Sequence, residues 1–245
     1  MKNLPWSYRF YRLTWSGLDL LFPPICSGCG KVGWRWCPDC QARVPRIKQP
    51  LCEKCGIPTN GVNRCEKCKS NPPAYQMMRS WAVFDSPIQN GLHTMKYRRN
   101  IAFAEAIAIQ MMDFVCSLSW PVEMLIPVPL GKKRLKERGY NQVGLVARPL
   151  AYQIGWKYKP RAIWKTRETR SQVGLNVSQR RENVEHAYEA NSEVVKRKSI
   201  LLMDDVATTG STISACTEAL LSAGAQQVYV LTIARALSHH SLDRV

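Results

Sequence analysis

Two groups of side chains in this sequence have the types and spacing to do chemistry: an acidic pair set before a run of hydroxyls, and eight paired cysteines. Asp204 and Asp205 end the aliphatic stretch "SILLM", and the loop Ala207-Thr208-Thr209-Gly210-Ser211-Thr212 follows. Unpaired backbone N–H groups at a helix N-terminus, together with the hydroxyls of Thr208, Thr209, Ser211 and Thr212 and the permissive Gly210, make a cradle for phosphate. Two carboxylates do not favour that same phosphate. They suit hydroxyls, accepting hydrogen bonds from a sugar diol. A diol binder beside a phosphate cradle describes a ribose 5-phosphate site; a plain capped helix after a strand accounts for the same pattern without a ligand.

The cysteines form four Cys-x-x-Cys pairs between residues 26 and 68: Cys26/Cys29, Cys37/Cys40, Cys52/Cys55 and Cys65/Cys68. Each pair is a tight turn that aims two thiolates at one cation, and two turns complete a closed tetrahedral Zn²⁺ site. The short gaps favour Cys26, Cys29, Cys37 and Cys40 as one site, and Cys52, Cys55, Cys65 and Cys68 as the second. Interleaved pairing of the four turns is also compatible with the spacing. Cys116 and Cys216 stand apart and read as small buried apolar residues.

The elements that must position these groups follow from periodicity. "KSNPPAYQ" (69–76), with Pro72 and Pro73, marks a boundary between the Cys-rich module and the rest. Beyond it "RSWAVFD" (79–85) and "VEMLIPVPL" (122–130) read as strands. "IQNGLHTMKY" (88–97) and "AFAEAIAIQMMDFVCSL" (102–118) have helical spacing. A helix through "NQVGLVARPLAYQIG" is weakened by Pro149, and a short strand follows near "RAIWKT". Residues 199–206 form an apolar strand, 211–223 a helix ending at Gly224, and 227–236 another strand. This βαβ unit predicts an α/β fold with a helix-covered parallel sheet, whose ligands sit at the carboxyl ends of strands. Asp204 and Asp205 fall at such an end.

The totals narrow the class. Of 245 residues, 45% are hydrophobic and 22% charged, the balance of a globular rather than a disordered chain. No apolar run reaches the roughly 20 residues of a membrane span, so no membrane span is expected. In the N-terminal stretch Arg9, Arg12 and Asp19 interrupt any signal-peptide core, which predicts a cytoplasmic protein. Lys and Arg number 35 against 18 Asp and Glu, a formal charge of +17. Such an excess suits a polyanionic partner, nucleic acid or a phosphorylated small molecule, and is also found on basic solvated surfaces.

"ILLMDDVATTGST" (200–212) resembles the phosphoribosyl pyrophosphate (PRPP) signature of type I phosphoribosyltransferases: hydrophobics, two acids, then a hydroxyl-rich loop. "HTMKYRRN" (93–100), "IPVPLGKKRLKERGYNQ" (126–142) and "TRSQVGLNVSQRRENVEHAY" (169–188) narrow the likeness to the ComF/GntX family, from Cys26 to about Ala236. The resemblance implies a double zinc-ribbon followed by a type I phosphoribosyltransferase fold, a parallel sheet flanked by helices. The corresponding segments are an amphipathic N-terminal stretch (1–22), the zinc-ribbon (23–72) and the transferase-like domain (73–245).

Site roles follow from the same resemblance. Asp204 and Asp205 would be catalytic and hold the ribose 2′- and 3′-hydroxyls, with Ala207 and residues 208–212 on the 5-phosphate. Val128, Pro129 and Leu130 occupy the place of the pyrophosphate loop, with Arg134 and Arg138 one helical turn apart and suited to bidentate phosphate contact. Arg170, Gln172 and Arg180 lie where relatives carry a flexible hood. Lys96 is a further candidate phosphate contact, or packs its stem on Tyr97. Two structural Zn²⁺ and Mg²⁺ accompanying PRPP are the implied cofactors.

Three classes of function remain open. One is a single-stranded DNA-handling protein that retains a PRPP site, with competence or recombination proteins as partners. Net charge and tryptophans that could stack on bases suit it, Trp34 and Trp36 beside a cysteine turn above all, while core packing explains most of the tryptophans equally well. Another is a phosphoribosyltransferase that transfers to a nitrogenous base and releases pyrophosphate. The third is a regulator that senses PRPP without turnover. The DNA-handling reading is the favoured one.

Overall fold

The computed structural model describes residues 23–167 and 187–237. The segment 1–22 and the three hood positions Arg170, Gln172 and Arg180 lie outside the described residues.

The core is a five-stranded, all-parallel sheet built from β1 (Met77–Val83), β2 (Met124–Pro127), β3 (Lys157–Tyr158), β6 (Ser199–Ala207) and β7 (Gln227–Arg235). Its spatial order is β1-β7-β6-β2-β3. A separate antiparallel pair joins β4 (Ile163–Lys165) to β5 (Tyr188–Ala190), a strand the sequence periodicity did not reveal. The helices are α1 (Pro38–Ala42), α2 (Glu66–Ser70), α3 (Ile88–Tyr97), α4 (Ala102–Ser117), α5 (Lys132–Arg138), α6 (Gln142–Ile154), α7 (Ser192–Val195) and α8 (Ser211–Ser222).

A strand covered on both faces reads as an unbroken apolar run, because successive side chains point to opposite sides. In β6, Leu201 and Met203 pack with α3, α4 and α6, while Ile200 and Leu202 pack with α8. All four are wholly buried, and each contributes about 1.5–3 kcal/mol of burial. α3 approaches α4 closely because Gly91 leaves room for the Phe103 ring, which a Cβ would meet at 2.3 Å. Pro149 does not interrupt α6, which runs on to a left-handed Gly155 with φ of 90°. The buried Val146, Ala147, Leu150 and Ala151 around it anchor the helix in the larger core, offsetting the one hydrogen bond that proline forfeits.

The Cys-rich module is fastened to the β1 edge from both faces. Trp36 packs its ring on Phe103 with centroids 4.9 Å apart, and Arg46 lies 4.0 Å over the ring of Trp81. On the other face, the β1 amide of Met78 donates to the Lys54 carbonyl at 2.8 Å, and Arg235 Nη1 donates to the Cys55 carbonyl at 2.6 Å. Among the described residues, no helix is long and apolar enough to cross a membrane.

Candidate functional site

Asp204 and Asp205 sit on β6 where it emerges from the sheet, and adjacent strand residues must face opposite ways. Asp205 turns toward α3 and α6. Its Oδ2 lies 2.5 Å from Lys96 Nζ and accepts from Gln142 Nε2 at 3.0 Å, while Oδ1 accepts from the amide of Val206 at 2.8 Å. Arg138 in turn donates to Gln142 Oε1 and lies over the ring of Tyr97, whose ring meets His93 at a tilt of 44°. Lys96 is therefore the counter-ion of a buried carboxylate.

Asp204 faces the α8 side, where its charge reaches Tyr188 and Cys216. Its Oδ1 accepts the amide of Asp205 at 2.8 Å. Burial, and then the neighbouring Asp205 charge, raise its carboxyl to about 8. Burial also disfavours ionisation of Asp205, but the Lys96 charge and hydrogen bonds from Lys96, Gln142 and Val206 hold that carboxyl below its ordinary value. The two acids are unequal: Lys96 and Gln142 favour ionisation of Asp205, while burial and the Asp205 charge disfavour it at Asp204.

The hydroxyl loop follows at once. Gly210 takes the left-handed conformation (φ 81°) and stands at the N-terminus of α8, which has no side-chain cap. Thr209 Oγ1 and Ser211 Oγ are 2.9 Å apart. A helix start without a side-chain cap keeps donors for a ligand.

Opposite it, Val128 continues the β2 pairing through its amide to the Met203 carbonyl at 2.8 Å, with Pro129 and Leu130 half-buried beyond. Asn141 ties this turn to α6: its Nδ2 donates to the Val128 carbonyl at 2.8 Å, and its Oδ1 accepts from the amides of Val143 and Gly144. α5, the peptide "KKRLKER", buries no residue. Arg134 is exposed on it, and its charge is felt at Tyr188, whose phenol burial pushes up.

The two cysteine sets are sequential, which resolves the pairing that spacing left open. Cys26, Cys29, Cys37 and Cys40 form one cluster and Cys52, Cys55, Cys65 and Cys68 the other, with sulfurs within 4.8 Å of one another in each. Sγ pairs at 3.6 Å (Cys29, Cys37) and 3.7 Å (Cys55, Cys65) fit the edge of a tetrahedron with Zn–S bonds of about 2.3 Å. Amides of Cys37 and Cys65 donate to the Sγ of Cys26 and Cys52, which favours thiolates. The clusters repeat one local fold: Gly30 and Gly56 each donate to the carbonyl of the first cysteine, at 2.9 Å in both. Both sites fit zinc.

Comparison with known proteins agrees with this architecture. A model of the double zinc ribbon domain matches residues 17–69, and one of the phosphoribosyl transferase domain matches 143–244. The chain is 31% identical over 228 residues to the DNA utilization protein YhgH of Salmonella typhi, covering 89% of this chain and all of that one. The chain belongs to the ComF/YhgH family. Competence protein F of Haemophilus influenzae is 27% identical (82% of this chain, 90% of that one). Competence protein ComFC of Bacillus subtilis is 26% identical (86% and 85%). In this family member β1 and β2 precede the matched transferase segment yet complete its sheet.

The fold brings Asp204, Asp205, residues 207–212, Val128 and Arg138 to the carboxyl ends of β6 and β2. Of the expected stacking tryptophans, Trp34 is 46% exposed, whereas Trp36 is buried because Phe103 offers it a partner. Cys216 is buried as expected, but Cys116 is exposed, since it falls on the outer face of α4. Gln142, Tyr188 and Lys67 were not singled out from sequence. Gln142 lies inside the quoted "GYNQ", but a neutral polar side chain gives no local signal of the carboxylate it meets.

Proposed function

We propose that the protein binds PRPP at the carboxyl end of β6 and binds single-stranded DNA on the basic face beside it, in the service of DNA uptake and use. The observation that carries this reading is a continuous basic and aromatic surface next to the acidic pair. α5 exposes Lys132, Arg134 and Lys136, and Arg138 at its end reaches over Tyr97. Tyr97 is 68% exposed and is followed by exposed Arg98 and Arg99. A cleft of about 640 Å³ beside it is lined by Ser27, Asn90, His93, Arg98 and Asn100. Cations that follow a phosphate backbone and a ring that stacks on bases are what single strands require. The names of the relatives, DNA utilization and competence proteins, support the same direction.

For PRPP, residues 207–212 would take the 5-phosphate and Asp204 and Asp205 the ribose diol. The turn 128–130, with Arg134, lies toward the diphosphate. Asp205 Oδ2 is already engaged by Lys96 and Gln142, so the acidic pair is not a metal cage. Mg²⁺ would come with the diphosphate, where it neutralises charge on the leaving group. Asp205, held by Lys96 and Gln142, presents a fixed carboxylate beside Asp204 for the ribose diol.

Fluorescence anisotropy with a labelled single-stranded oligonucleotide tests the DNA reading. Affinity is expected to fall steeply and log-linearly with salt, and to drop in the double variant Lys132→Glu/Lys136→Glu. Binding that ignores salt, or that the charge reversals leave intact, sinks it. A second reading, transfer of the phosphoribosyl group to a nitrogenous base, is favoured by the intact acidic pair and loop. It requires pyrophosphate release that Asp205→Asn abolishes.

A further inference from the structure

The second cysteine cluster touches the hydroxyl loop. Lys67, on α2 beside the metal-ligating Cys68, donates from Nζ to the backbone carbonyl of Thr209 at 3.1 Å, across 142 residues of sequence. The same ribbon is anchored a few residues away. Arg235 donates to the Cys55 carbonyl, Arg235 pairs in register with Ala207, and the Ala236 amide donates to the Ala207 carbonyl at 2.9 Å. The strand end that fixes the ribbon also fixes the start of the loop.

A trans peptide is planar, and its C=O and N–H point in opposite directions. With the Thr209 carbonyl drawn to Lys67, the Gly210 N–H is turned to the other side of the loop, away from the ribbon. Within the turn, the Thr209 and Ser211 hydroxyls lie 2.9 Å apart and the Ser211 amide donates to Thr209 Oγ1 at 3.5 Å, and none of these contacts takes the Thr209 carbonyl. Glycine accommodates either orientation of the preceding peptide, and no atom lies within 4 Å of where a Gly210 Cβ would stand. The ammonium of Lys67 holds the Thr209 carbonyl from outside the loop.

We propose that Lys67 is a positioning residue of the phosphate loop, through which the second four-cysteine cluster sets the direction of the Gly210 N–H and so the affinity for a 5-phosphorylated ribose. This rests on reading residues 207–212 as a phosphate loop. Folding of the ribbon around its metal then becomes a condition for tight PRPP binding, even though no cysteine touches the ligand.

The experiment is calorimetric titration of ribose 5-phosphate and, separately, of Mg·pyrophosphate into zinc-replete full-length protein. Wild type, Lys67→Met and Lys67→Arg are compared, with zinc content and melting temperature measured on each. In Lys67→Met, ribose 5-phosphate affinity is expected to fall about tenfold, within the usual range of coupling between sites. Pyrophosphate affinity and two zinc ions per chain should be retained, and Lys67→Arg should restore binding. The ¹⁵N-glycine amide signal of Gly210 should shift in Lys67→Met before any ligand is added. If Lys67→Met binds ribose 5-phosphate as wild type does, the inference falls and the loop reading stands. If it loses zinc, or loses both ligands equally, Lys67 is only structural and the inference falls. If wild type binds no ribose 5-phosphate, the loop reading falls and takes the inference with it.

Discussion

Lys96 on α3 and Asp205 on β6 meet at 2.5 Å, and through this pair the layer of helices holds the strand that carries the acidic site. Removing one partner of such a pair leaves a charge with little water to take its place. Lys96→Met is expected to destabilise the protein by up to about 3 kcal/mol, the partial exposure of the lysine keeping it below a wholly buried pair. Adding Asp205→Asn should recover much of that loss, because the uncompensated charge goes with it. Urea unfolding of the single and double variants gives the coupling energy. An unchanged midpoint for Lys96→Met would reduce the pair to a surface contact.

Asp204 gives a pH dependence of defined sign. Its carboxyl is raised to about 8 by burial and by Asp205, with Lys96 acting the other way. A folded-state value above the unfolded one contributes stability that is whole below about pH 4 and is lost as pH rises through 8. Asp204→Asn keeps the acceptor for the Asp205 amide and removes the ionisation. The variant is expected to melt like wild type near pH 4 and above it by a growing margin up to pH 8, at about 2–4 °C per kcal/mol. Melting curves in magnesium-free buffer decide it; a constant offset across that range would mean that Asp204 titrates normally.

Gly56 and Gly61 both have positive φ, but only Gly56 is crowded: a Cβ there would stand 2.6 Å from the Met78 carbonyl, where the second ribbon meets β1. Gly61→Ala should cost about 1 kcal/mol, the ordinary left-handed penalty. Gly56→Ala should cost about 1–3 kcal/mol more, because the ribbon must also lift from the strand. Equal shifts in thermal melting would show that the ribbon is not pressed against β1.

On the basic face, charge and stacking should separate. Tyr97→Ala is expected to weaken single-stranded DNA binding by about 5- to 100-fold, the range for loss of one stacked base, with the salt slope preserved. Lys132→Glu/Lys136→Glu should flatten that slope. Anisotropy titrations at several salt concentrations distinguish the two. A Tyr97→Ala protein that binds as wild type does would remove the ring from the DNA path.

Local features were legible in the sequence. The aliphatic run before Asp204, the helical spacing of residues 88–97 and 102–117, and the four cysteine pairs each carry their structure in a short window. What escaped were meetings between distant segments. Gln142, Lys96 and Asp205 converge because α3, α6 and β6 pack together, and Lys67 reaches Thr209 because the ribbon folds back over the sheet. β5 was missed because three residues are too few to show alternation. Beside a cysteine turn, "GWRWC" reads as an exposed platform, and it is Phe103, far along the chain, that buries Trp36.

The sheet order has a consequence for how the chain is made. Among the described residues, β1 sits at the sheet edge with a single neighbour, β7, the last strand described. A nascent chain therefore emerges with both cysteine clusters and β1 complete long before the strand that β1 pairs with exists. Until the ribosome has delivered β7 and Arg235, the ribbon has its metal ligands and its contacts to β1 and Phe103 but lacks the Arg235 bond to the Cys55 carbonyl. Capture of metal by the ribbons can thus precede assembly of the sheet, and a chain truncated before β7 would leave β1 an unpaired edge open to association with other chains.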